Sequence, residues 1–117
     1  MTDTSALAPF HLDEGSETDP SHCLYLFAMD QVADVFEEHG AESNGHGWES
    51  LAESLVRSHM PECVAKLRFG SEGDTFVVTS TDLVALRGLA VLLQSAFHDR
   101  KLLSHYIRTT DPRFLDR

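Results

Sequence analysis

The sequence predicts an α+β fold, a small antiparallel sheet packed against helices in the order β(β)-αα-ββ-αα. Three observations lead there. Around Gly70-Ser-Glu-Gly-Asp74, apolar and polar residues alternate over short stretches, the period of a half-buried strand. Elsewhere apolar residues recur every three or four positions, the period of an amphipathic helix. Strands and helices also arrive in blocks rather than in strict alternation, which favours helices on one side of an antiparallel sheet.

Residues 1–8 read as a flexible leading tail, 9–110 as a single domain and 111–117 as a trailing tail. A short strand is expected over 9–12, followed by a polar loop, Asp13-Glu-Gly-Ser-Glu-Thr-Asp-Pro20, rich in turn formers. Residues 22–28, with Tyr25 and Phe27, form a short apolar run that reads as a buried strand. These two strands can pair antiparallel across the acidic loop.

Asp30 reads as a helix N-cap. Val32, Val35, Phe36 and His39 then follow at helical spacing, and Gly40 is a natural stop. Residues 41–47 form a glycine-punctuated turn. Trp48, Leu51, Ala52, Leu55 and Val56 make a second apolar stripe that ends before Pro61, with Glu49 and Glu53 on its solvent side. Ala65, Leu67 and Phe69 alternate with Lys66 and Arg68 as in a strand, and Phe76 and Val78 resume the pattern after the hairpin turn. The next helix begins near Thr81-Asp82, with Leu86, Leu89, Ala90, Leu93 and Phe97 on one face. Leu83, Val84, Val91 and Leu92 widen its apolar surface enough to predict burial on more than one side. Asp99 is placed to cap a last helix that turns Leu102, Leu103, Tyr106 and Ile107 inward.

The 117 residues fit one domain, and a hydrophobic share of 42% supplies a core. The formal charge of −10 argues against nucleic acid or an anionic membrane as partner. That charge is lopsided: residues 1–60 hold 12 carboxylates against one base, Arg57, whereas 61–117 hold 7 against 8. A localised field steers a partner to one face. No signal peptide and no membrane-length apolar run is read, so a reducing cytoplasm is expected, with Cys23 and Cys63 as small hydrophobes rather than a disulfide.

The segment from Asp34 through Glu53 resembles the core signature of the Imm51 family, immunity proteins of bacterial polymorphic toxin systems. The resemblance lies in a helix ending in glycine (Gly40), then Ser43-Asn44-Gly45-His46, then Trp48 opening the next helix. A second block, Phe69-Gly-Ser-Glu-Gly-Asp-Thr-Phe76, is similar to the family's later hairpin, although Gly70 stands where an acidic residue is usual. Together they span roughly residues 21–98. The resemblance implies an intracellular protein that binds and neutralises a cognate toxin, and it implies no catalytic residues.

Each candidate residue carries two readings. Asn44-Gly45 is a helix connector, or a rigid loop presenting Asn44 and His46 to a partner. Trp48 is core, or an interface anchor. Asp34, Glu37, Glu38, Glu42, Glu49 and Glu53 are a solvated face, or a toxin-binding surface that imitates phosphate spacing in the basic groove of a nuclease-like toxin. The seven histidines show no compact ligand spacing with the cysteines, so no metal or other cofactor is expected. No nucleophile motif appears, so no enzyme is expected. The alternative to an immunity protein is a self-associating regulatory or structural module whose apolar sheet face pairs with a copy of itself.

Overall fold

Side-chain alternation sets the sheet. Leu24 and Leu26 on one strand, and Phe76, Val78 and Ser80 on another, all turn to one side and are buried. In a computed structural model of the chain, which describes residues 7–15, 17–18 and 20–110, these strands are β2 (His22–Leu26) and β4 (Phe76–Ser80). They pair antiparallel at the centre of a four-stranded sheet, with Leu24 opposite Val78. β1 (His11–Asp13) extends β2 on one edge and β3 (Arg68–Phe69) extends β4 on the other, both antiparallel. The helices α1 (Ala33–Glu37), α2 (Gly45–His59), α3 (Leu83–Phe97) and α4 (Arg100–Thr109) complete the α+β architecture. Leu24, Leu26, Phe76 and Val78 meet Leu51, Leu86, Leu89 and Leu93 in one core.

The helix starts at 83 and 100 follow their caps. Asp82 accepts from the Ala85 N–H at 3.1 Å, and Asp99 accepts from the Lys101 and Leu102 N–H groups. The Ala85 N–H, and then the ion pair with Lys66 at 3.1 Å, hold the Asp82 carboxyl below its ordinary range. A carboxyl lowered by folding stabilises above its unfolded pKa, and the contribution is lost as pH falls through the folded value. Asp82→Asn keeps a capping oxygen but no charge. The wild type is therefore expected to melt above Asp82→Asn at neutral pH, with the difference closing as pH drops below about 4. Thermal melts across pH read this directly.

Several segments depart from the sequence reading. Asp30 caps nothing and lies inside a single 3-10 turn, Met29–Val32, that leads into α1. Met29 and Val32 are both buried, and a 3-10 turn brings positions i and i+3 to the same side. α1 is only five residues long, yet its stop is as expected. Gly40 takes φ +72°, Ala41 N–H bonds the Phe36 carbonyl, and Gly40 N–H bonds that of Glu37.

The strand expected from Ala65 is instead a 3-10 helix, Pro61–Lys66, that leaves two residues for β3. Pro61 presets the first turn, and its missing N–H is no loss there. Of the residues that widen the apolar surface of α3, Leu83 and Leu92 are half-buried, with Leu83 packed on the core, but Val84 is 82% and Val91 54% exposed. Nor is 22–28 wholly buried, since Phe27 is 57% exposed. Leu7 packs against the core, and the Ala8 carbonyl accepts from the His98 ring at 2.7 Å. These two positions, assigned by sequence to the leading tail, therefore belong to the folded body. The rest of that tail and the segment 111–117 lie outside the described residues.

Candidate functional site

The motif Ser43-Asn44-Gly45-His46-Gly47-Trp48 is a joint. Asn44 has φ −139° and is the N-cap of α2, its side chain accepting from the Gly47 N–H at 2.7 Å. The Asn44-Gly45 connector is therefore itself the start of the helix. Ser43 Oγ donates to the Met29 carbonyl at 2.5 Å and accepts from the Trp48 indole N–H at 3.1 Å. Gly45 N–H donates to the Gly73 carbonyl at 3.1 Å. A Cβ on Gly45 would lie 1.6 Å from the Glu72 carbonyl oxygen, and one on Gly47 would lie 2.0 Å from that of Glu42. Both glycines are required by close approach of backbone to backbone. The first turn of α2 thus clamps the 29–32 turn on one side and the 70–75 hairpin on the other. Asn44→Ala is expected to remove about 1 kcal/mol of stability, measured by urea unfolding, because the Gly47 N–H loses its acceptor.

Trp48 is 0% exposed and lies among Phe10, Phe36 and Phe97, with ring centroids 5.4 to 6.0 Å away. It therefore offers no surface to a partner, and of its two readings the structural one describes the folded chain.

The acidic candidates separate into three groups. Glu37, Glu38 and Glu42 are exposed along the turn between α1 and α2, with His46 exposed just beyond them. Asp34 is exposed but ion-paired with Arg100 of α4. Glu49 and Glu53 are half-buried rather than on an open helix face. Glu49 accepts from the Ser71 N–H at 3.1 Å, which fastens α2 to the hairpin, and Glu53 lines a cleft with Val64, Leu67 and Phe69. The Asn44 amide donates to Glu42 at 3.0 Å, so Asn44 is engaged in local structure as well.

Facing α1 across a shallow groove of about 400 Å³, α4 carries Arg100, Lys101 and Arg108. The acidic field of α1 is thus countered on that flank.

Neither cysteine is bonded to the other. Burial pushes the Cys23 thiol up, which works against thiolate chemistry. Among the described residues, no three His, Cys, Asp or Glu side chains are grouped to hold a metal ion, and no helix is long and apolar enough to cross a membrane.

Sequence reading offered an apolar sheet face only as a self-pairing alternative, with no residues assigned to it. On the side of the sheet away from the core, His11 of β1 stands opposite Tyr25 of β2, which stands opposite Val77 of β4. Phe27 follows two residues after Tyr25 on the same side, and their rings stack 6.0 Å apart at 14°. The signal was present in the chain, because Tyr25 and Phe27 alternate with Leu24 and Leu26. Apolar character on both faces disguised the period of two.

The model of the family described as Immunity protein 51, Imm51, matches residues 10–112. No curated protein and no solved structure matches the chain.

Proposed function

We infer that this chain, which belongs to the Imm51 family of immunity proteins, neutralises its protein toxin by stoichiometric occlusion in the cytoplasm of a bacterium that carries a polymorphic toxin system. It acts by binding and performs no turnover. The observation that best supports an electrostatic contact is the exposed run Glu37, Glu38 and Glu42, inside a half of the sequence that holds 12 carboxylates against one base. Such a surface fits a toxin with a basic groove, as in a nuclease-like enzyme. Carboxylates at the rim raise the encounter rate, and salt screens that gain.

The test uses the cognate toxin domain, to be sought in the reading frames that flank this one. Reversing Glu37, Glu38 and Glu42 to Lys is expected to weaken binding by about 3 kcal/mol or more, chiefly through slower association at low salt. Unchanged affinity in the folded triple variant, or association rates that stay flat with salt, would remove the acidic turn from the interface. Rescue of cells at far fewer copies than toxin molecules would contradict stoichiometric action.

A further inference from the structure

The sheet has one face covered by helices and one face that the described helices leave open. Leu12, Leu24, Leu26, Phe76 and Val78 are buried, whereas their neighbours His11, Asp13, Tyr25 and Val77 are exposed or half-buried. The open face carries three rings in contact. Phe27 is stacked on Tyr25 and lies 5.8 Å from the His11 ring, and Phe27 leaves 57% of its surface to solvent. Scattered exposed apolar residues need no explanation, but a contiguous aromatic cluster on an open face does.

Charge around the cluster indicates the chemistry of its occupant. Asp13 lies on the same side of β1 as His11, opposite Cys23, which is two residues along β2 from Tyr25, the partner of His11. Asp30 follows Phe27 by three residues and is exposed as well. Cations lie at the far edge: Arg68 on β3 is across Thr79 and Cys23 from Asp13, and Lys66 lines the same depression as Arg68 and Thr79. Aromatic faces present negative quadrupole charge, and a guanidinium stacks on them while its N–H groups reach nearby carboxylates.

We propose that the open sheet face is the anchoring site for the toxin, with a basic side chain of the toxin, by preference an arginine, seated on the Tyr25–Phe27–His11 cluster. This rests on the immunity reading above and adds a division of labour to it. The carboxylates of the turn at 37–42 govern how fast the partners meet, and the aromatic seat governs how long they stay. Buried aromatic contacts carry most of the energy of an interface, and their loss is read in dissociation.

Binding kinetics of the full chain with the toxin domain identified above test the placement. Phe27→Ala is expected to raise Kd by about 30-fold or more through faster dissociation, with the association rate nearly unchanged. Phe27→Tyr should restore most of the affinity by restoring the ring. Val84→Ala, on the outer side of α3, should leave binding unaltered. Phe27→Lys places a cation where a cation is meant to bind, and it should abolish binding even if Phe27→Ala repacks.

Folded Phe27→Ala and Phe27→Lys variants that bind like wild type would overturn the placement while leaving the immunity function intact. A wild-type chain that neither binds the toxin nor protects cells would overturn both. A wild-type dimer in sedimentation that Phe27→Lys converts to monomer would assign the face to a second copy and overturn the placement as well.

Discussion

Trp48→Ala is expected to lower unfolding stability by about 3–5 kcal/mol, the range for deleting a fully buried large aromatic. The side chain is 0% exposed and packs on Phe10, Phe36 and Phe97. Those rings come from the segment before β1, from α1 and from the end of α3, so the cavity would open between distant parts of the chain. Domains of this size are held by about 5–15 kcal/mol in total, and the variant would be marginal at 37 °C. Trp48→Phe should lose less. It keeps most of the packing, and Ser43 retains its bond to the Met29 carbonyl. Trp48 is the only tryptophan in the chain, so both variants must be followed by far-UV circular dichroism in urea rather than by indole fluorescence. A loss below about 1 kcal/mol for Trp48→Ala would contradict the packing described.

Gly45→Ala is expected to destabilise by about 3 kcal/mol or more, against the usual sign of the substitution. In an ordinary helix, alanine in place of glycine stabilises by about 1 kcal/mol. Here the added methyl would lie 1.6 Å from the Glu72 carbonyl oxygen and 2.5 Å from that of Thr75. Both obstacles are backbone, and no side-chain rotation relieves them. The hairpin must move, and with it the bond from Gly45 N–H to the Gly73 carbonyl. Gly73→Ala serves as the control. A Cβ there meets nothing within 4 Å, so its effect should stay within about 0.5 kcal/mol. Equal urea midpoints for the two variants would refute a close approach specific to Gly45.

The parts of the fold legible in the sequence were those governed by local chemistry. Asp82 and Asp99 announce their helices because a carboxylate before an apolar stripe satisfies free N–H groups. Gly40 announces its stop because few other residues take φ near +72°. The errors arose where a local pattern has two physical causes. Lys66 and Arg68 alternate with apolar neighbours as a strand would, but Pro61 begins a 3-10 turn that runs through Lys66. Val84 and Val91 resemble a second buried face, although nothing local distinguishes an apolar residue facing a neighbour from one facing water.

The candidate site was less legible than the fold for the same reason. Asn44 and Gly45 look like loop-formers whether they present a surface or lock a joint. What decides the matter is the hairpin at 70–75, and no local pattern places it against residue 45.

The central pairing of β2 with β4, residue 24 against residue 78, also sets a timetable. More than fifty residues must be synthesised and looped before the middle of the sheet can close, and that closure entropy precedes any reward from the contacts. Acquisition of the native state should therefore be slower than in a helical bundle of similar size, which folds in microseconds to milliseconds. Synthesis of 117 residues at about 5–20 residues per second takes longer than that closure, so production of the chain rather than its folding limits when folded protein is present.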